Sequence, residues 1–272
     1  MGKPGNLTLR VVTAAVLVPI VLLLMLWHRH EGWFSLVALV TAIGASEVVN
    51  MAVPSPRPWD KLLGVVGAVA VMASIYWLPS GLDAIMVLAG VVLGVWLSVM
   101  LRPGSIQEAG ARVSGLFTAV LYAGVLFAFV ALLKRLPQGW KWLVLLASVI
   151  WLGDTGAYFT GRAFGKHKLY PTVSPKKTWE GAFGGLVSSL AAGAVAVLWY
   201  LPELHWMGVL FGVVPAAVFG QAGDLCESLI KRAYGVKDSG RILPGHGGIL
   251  DRVDALLFAA PYLYFYATRF VV

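Results

Sequence analysis

The chain has 272 residues, of which 59% are hydrophobic and 12% charged, and a formal net charge of +8. Soluble domains carry about one quarter charged residues, so this sequence cannot clothe a water-facing surface and reads as an all-α integral membrane protein. The basic excess points to phosphorylated or lipid-like partners and not to nucleic acid, although part of it is the orientation signal of the inner loops. A lone cysteine, Cys226, excludes an intramolecular disulfide.

A helix needs about 20 mostly apolar residues to cross the hydrocarbon core. In chain order, nine runs approach that length: 9–27, 33–53, 62–78, 82–101, 113–133, 142–159, 181–201, 206–225 and 249–272. Trp27, Trp33, Trp77, Trp142 and Trp206 stand at their ends, as interfacial aromatics do. The first run follows Lys3 and Arg10 but leads into Trp27-His28-Arg29-His30, with no small-residue cleavage site. It reads as a retained helix rather than a signal peptide. Alternating the loops between two sides puts sixteen of the 21 Lys and Arg residues on the side of residue 1, among them Arg57, Arg102 and Arg112. Arg29, Lys134, Arg135, Lys141 and Arg269 fall on the other. The bias predicts a cytoplasmic N-terminus. The expected architecture is one polytopic domain over residues 1–272, a bundle of nine or so transmembrane helices, with scaffold helices in 1–140 and a catalytic region in 141–272. Two inner loops are long and polar, 162–180 and 226–248.

Ionisable residues inside membrane segments are costly and mark function. Glu47, Asp154 and Asp224 lie near the final turns of the second, sixth and eighth runs, Glu227 follows the eighth, and Asp251 and Asp254 open the ninth. The predicted topology brings these acids to one depth, just inside the cytoplasmic boundary. Asp251 and Asp254 are three apart and share a helix face, while Asp224, Glu227, Ser228 and Lys231 follow one stripe. Such carboxylates need neutralising. Oxygen ligands without paired His or Cys favour Mg²⁺, and ion pairing with Lys231 and Arg252 is the equal alternative. Asp251 and Asp254 also suit a helix N-terminus through its dipole.

The basic residues point to phosphate. Ser174-Pro175-Lys176-Lys177 reads as an N-cap, a Pro at the first helical position and two lysines, which would make a helix-start anion site. Lys231, Arg232 and Lys237 add cations on the same side. Pro244-Gly245-His246-Gly247-Gly248 reads as a tight turn whose backbone N–H groups can approach a ligand. His246 is open to a structural hydrogen bond or to catalysis.

At this point the residues resemble a known family. Ser228-Leu229-Ile230-Lys231-Arg232, then Lys237-Asp238, then Leu243 through Asp254 in the order LPGHGGILDRVD, match the signature of the phosphatidate cytidylyltransferases, or CDP-diacylglycerol synthases. Ser174 to Gly181 (SPKKTWEG) resembles the family's second hallmark, and Gly153-Asp154 with Gly161-Arg162 fits the region before it. Residues 1–140 resemble the family in hydropathy alone.

The resemblance implies that CTP and phosphatidate give CDP-diacylglycerol and pyrophosphate, with Mg²⁺ required and a second metal ion of open identity. Phosphatidate is a phosphomonoester with a second pKa near ~6, so it is largely a dianion at neutral pH and already a nucleophile. Positioning and electrostatics are then the catalyst's task. The implied metal carboxylates are Asp224, Asp251 and Asp254. Lys176 and Lys177 join them as catalytic residues and, with Lys231, Arg232 and Lys237, contact phosphates. Asp238, Arg241, His246, Gly247 and Gly248 shape the nucleotide site, and Ser174 and Arg252 complete the substrate-binding set. Asp154 and Glu180 are supporting or ion-pair candidates. The expected partners are CTP, phosphatidate and membrane lipids, with a homodimer as a candidate assembly. The expected location is the cytoplasmic (inner) membrane, with the site facing the cytoplasm. Two rival readings are a CTP-dependent lipid kinase, which releases CDP, and a cation-coupled transporter, which would place its acids near the midplane within inverted repeats.

Overall fold

A computed structural model describes residues 6–78, 80–101, 105–243, 245 and 247–272. Lys3 and Arg102 of the charge count, and Pro244 and His246 of the glycine-rich turn, lie outside the described residues. The chain folds into nine helices and one hairpin among those residues: α1 (Asn6–Leu26), α2 (His30–Ala52), α3 (Pro58–Trp77), α4 (Gly81–Leu101), α5 (Ile106–Leu133), α6 (Gly139–Phe164), β1 (Lys168–Tyr170), β2 (Ser174–Thr178), α7 (Trp179–Trp199), α8 (Pro202–Ala233) and α9 (Leu250–Phe270). Helices α2 to α8 are long and apolar enough to cross a membrane. The described apolar part of α1, Val11–Leu26, is shorter. Helix α9 has 21 residues but carries Asp251, Arg252 and Asp254 near its start, and Pro261 and three tyrosines further on. Those polar groups lower its hydropathy without preventing the helix.

The chain divides into two compact units, Met1–Ala131 with Tyr234–Arg252, and Leu132–Ala233 with Val253–Val272. The polar loop 234–252 groups with the N-terminal unit, and residues 132–140 with the second.

In the first unit, α2 packs on α3 and α5. Helix α3 starts in a way its sequence dictates: Pro58 occupies the first turn, and Asp60 Oδ2 accepts from Arg57 N at 2.9 Å. Arg112 was counted with the inner loops. It lies instead in α5, 4% exposed, and pairs with Asp60, itself 5% exposed. Its other amino group donates to Pro54 O at 2.9 Å. Helix α5 contains a π turn at Val120–Val125. There Gly124 lies so close to α3 that a Cβ would stand 2.7 Å from Ala68 O.

In the second unit, α6 and α7 meet along a seam of small residues. A Cβ at Gly181 would lie 2.9 Å from Ala157 O, and one at Gly185 would lie 2.9 Å from Gly153 O. Ser189 Oγ donates across the seam to Val149 O at 2.7 Å. Small residues allow this approach because helices in lipid gain from close packing rather than from expelling water. Gly185→Val is expected to wedge the seam open and to lower stability by roughly 1–3 kcal/mol, read as a drop in the unfolding midpoint in detergent. Helix α8 joins this pair, with Gln221 Nε2 donating to Ala182 O at 3.0 Å, and α9 is tied to α8 by Tyr262 Oη donating to Phe211 O at 2.7 Å.

One local expectation is corrected. Ser174-Pro175-Lys176-Lys177 does not open a helix. These residues form strand β2, paired antiparallel with β1, and the helix starts at Trp179. Thr178 is the N-cap, its Oγ1 accepting from Gly181 N at 3.1 Å. The reason is the hairpin: pairing with β1 takes up the segment's backbone groups, and Thr178 offers the helix its cap four residues later.

Candidate active site

Each unit holds part of the predicted set. In the second unit, α6 carries Asp154, β2 carries Lys177, α8 carries Asp224, Glu227 and Lys231, and α9 carries Asp254. Strand geometry alternates the two lysines: Lys176 is exposed, while Lys177 is half-buried and pairs with Asp224, Nζ to Oδ2, at 2.6 Å. Ser228 Oγ lies 3.5 Å from the other oxygen of Asp224. One helical turn on, Glu227 and Lys231 form a buried ion pair. The stripe read from the α8 sequence is therefore real, and its members pair in the order their spacing suggests. Asp254 is within electrostatic reach of Asp224, Lys231 and Glu227, and Asp154 of Asp224, Asp254 and Lys177. Neither Asp154 nor Asp254 forms an ion pair among the described residues. The cluster thus sets four carboxylates against two ammonium groups and has room for added positive charge.

The hairpin that delivers Lys177 is fastened by Glu180. Its carboxylate accepts from Lys166 N at 3.1 Å and His167 N at 3.3 Å, and lies 2.6 Å from His167 Nδ1. Glu180 sits in the first turn of α7, so it fixes the hairpin base to that helix.

The first unit holds the loop 234–252. Asp251 Oδ2 accepts from Ser239 N at 3.0 Å and Gly248 N at 2.9 Å, with Ser239 Oγ at 3.1 Å. Glu47, 5% exposed on α2, accepts from Ile249 N at 2.9 Å and Leu250 N at 3.0 Å, and Ser239 Oγ lies 3.0 Å from it. One serine hydroxyl therefore stands between two carboxylates. The glycine-rich turn closes with Leu243 N donating to Gly247 O at 3.0 Å. Gly247 has φ +83°, where L side chains are strained, and a Cβ on Gly248 would come 2.6 Å from Gly240 N. Asp238 flanks this turn, 3.7 Å from the space a Gly247 Cβ would fill. Arg232, Lys237, Asp238, Arg241 and Arg252 are exposed, and Ser174 is half-buried. Asp251 groups with the first unit and Asp254 with the second, because the division falls within the first turn of α9.

Sequence reasoning missed Ser239 altogether, since a lone serine in a polar loop carries no signal. It placed Glu47 among the membrane acids but could not supply its partners, which lie 202 and 203 residues away.

Among the described residues, no group of three or more His, Cys, Asp or Glu side chains is placed to hold a metal ion. The donor chemistry nevertheless fits magnesium, which commonly takes one or two carboxylates and completes its shell with water and substrate phosphates. Asp224 and Asp254 are oxygen donors of that kind, in a cluster with excess negative charge.

Residues 8–270 match the model of the cytidylyltransferase family, and the chain belongs to that family. The match begins well within the region that the sequence linked to the family by hydropathy alone. A phosphatidate cytidylyltransferase of Bacillus subtilis (strain 168) is 45% identical over 153 residues, 56% of this chain and 57% of that protein. One from Staphylococcus epidermidis is 46% identical over 148 residues, covering 53% of this chain and 55% of its own length. One from Staphylococcus aureus is 47% identical over 146 residues, with the same coverage of 53% and 55%. The chain spans a little over half the length of the curated relatives it matches.

Proposed function

We propose that the chain transfers a cytidylyl group from CTP to phosphatidate, giving CDP-diacylglycerol and pyrophosphate. The observation that carries this reading is the Lys177–Asp224 pair inside a carboxylate-rich cluster of a cytidylyltransferase-family chain. Names of its relatives supply the substrate.

A phosphatidate phosphate oxygen attacks the α-phosphorus of CTP, and the bond to the β-phosphate oxygen breaks. The nucleophile is anionic at neutral pH, so no general base is needed. Lys177 turns from Asp224 towards a phosphate oxygen as substrate arrives, and Lys231 holds Glu227 in the same stripe. Lys176, Arg232, Lys237 and Arg241, exposed cations on the polar segments, attract the two polyanions. The Gly247-Gly248 backbone and Asp238 shape the nucleotide pocket. Asp224 and Asp254 would hold magnesium, which supplies charge neutralisation at the α-phosphate and the leaving pyrophosphate when bound. The positive-inside bias favours a site on the cytoplasmic face of the inner membrane, where CTP is found.

The test is a product assay in membranes supplied with CTP, phosphatidate and Mg²⁺. Pyrophosphate and CDP-diacylglycerol formed in equal amounts, and lost on chelation of the metal, are the expected result. Release of CDP in place of pyrophosphate would assign the chain to lipid phosphorylation instead.

A further inference from the structure

We infer that Glu47 on α2 is a positioning residue for the nucleotide loop, acting through Ser239 and the start of α9. This rests on the function proposed above. Three groups converge on one buried carboxylate: Ile249 N, Leu250 N and Ser239 Oγ, at 2.9, 3.0 and 3.0 Å. The first N–H groups of a helix have no intrahelical acceptor, and α9 begins at Leu250. Glu47 therefore caps α9 from a different helix, and its negative charge suits the positive end of that helix. Gly44, one turn earlier on the same face of α2, makes room for the Leu250 side chain: a Cβ there would lie 3.0 Å from Leu250 Cδ2.

The second anchor is Ser239. Its hydroxyl lies against Glu47 and Asp251, and its N–H is held by Asp251. Ser239 follows Lys237 and Asp238 and precedes Arg241, and the Gly247-Gly248 turn lies on the other flank of the network. Gly240 packs against the Glu47 carboxylate and leaves no space for a side chain. A buried acid on α2 thus sets the path of the described loop residues assigned to the nucleotide, Asp238, Arg241, Gly247 and Gly248, without touching substrate.

Glu47→Gln tests this with little change of shape. The amide offers one acceptor where the carboxylate offers two, and turns an N–H group towards donors. Expected is a rise of about tenfold in KM for CTP, with KM for phosphatidate changed less than twofold. Ser239→Ala, which keeps both backbone bonds, gives a smaller rise, and the double variant is less than additive. Amide exchange read by mass spectrometry supplies an arm independent of turnover: peptides covering 239–250 lose protection in Glu47→Gln, while those of α3 do not. An unchanged KM for CTP together with unchanged exchange over 239–250 overturns the inference. So does loss of protection spread evenly over the first unit, which would make Glu47 a general stabiliser. If the wild-type protein forms no pyrophosphate, the functional reading fails separately, and the exchange result alone decides whether Glu47 holds the loop.

Discussion

Asp224→Asn is expected to lower pyrophosphate formation from CTP and phosphatidate by roughly a hundredfold or more, with the helical content and unfolding midpoint of the protein almost unchanged. The two halves of this result follow from one geometry. Asp224 and Lys177 are about one third exposed, and their 2.6 Å pair is partly solvated. Such pairs contribute about 1 kcal/mol or less to folding. In the proposed mechanism their value lies in chemistry: Asp224 keeps the hairpin lysine at the carboxylate cluster and is one of the two carboxylates proposed for the metal. Lys177→Ala is expected to fall by a similar factor, and the double variant by little more than either alone, because the two act as a unit. The measurement is kcat/KM for the four proteins of the cycle, with a thermal melt on each. Additive losses would mean that the pair acts as two unrelated side chains. A large loss of stability would make the contact structural.

The largest stability effect is expected within the first unit. Arg112→Met should destabilise the protein by roughly 3–5 kcal/mol, because it strands the Asp60 carboxylate in a buried site. Asp60 is 5% exposed and Arg112 4%, and each also serves the backbone: Asp60 accepts from Arg57 N, and Arg112 donates to Pro54 O. Removing both charges, as Asp60→Leu with Arg112→Met, should recover much of the loss, since the desolvation cost of the remaining ion disappears. Denaturant unfolding in mild detergent, followed by tryptophan fluorescence, would measure this. Equal destabilisation by the single and double variants would show that the hydrogen bonds to Arg57 and Pro54, and not the charges, are what the site needs.

These two pairs also mark the limit of what the sequence could reveal. The membrane helices were legible because lipid demands long apolar runs whatever the tertiary contacts, and runs near 20 residues in length leave few alternatives. The α8 stripe was legible because Asp224, Glu227, Ser228 and Lys231 are close in sequence, and helical spacing alone decides which of them meet. Arg112 was not: a charge near the start of a hydrophobic run reads as a loop residue, and only its distant partner Asp60 makes burial tolerable. Strand β2 was hidden for the opposite reason. Ser-Pro is a sound helix start in isolation, and what displaced it was pairing with β1 and a better cap at Thr178. Glu47 lay between these cases. Its cost in a membrane segment announced a role, but the role was written in the backbone of α9, which has no side-chain signal to find.

The seam between α6 and α7 has a practical consequence. Glycines and serines there bring backbone against backbone, so the attraction is dispersion between matched surfaces and not the exclusion of water. Extraction from a bilayer into micelles changes the lipid contribution but leaves this packing and the Ser189–Val149 hydrogen bond in place. Chilling, which weakens water-driven association, should leave it intact. The helix pair that presents the hairpin lysine is therefore well suited to surviving purification, and so is the close approach of Gly124 to Ala68 in the first unit.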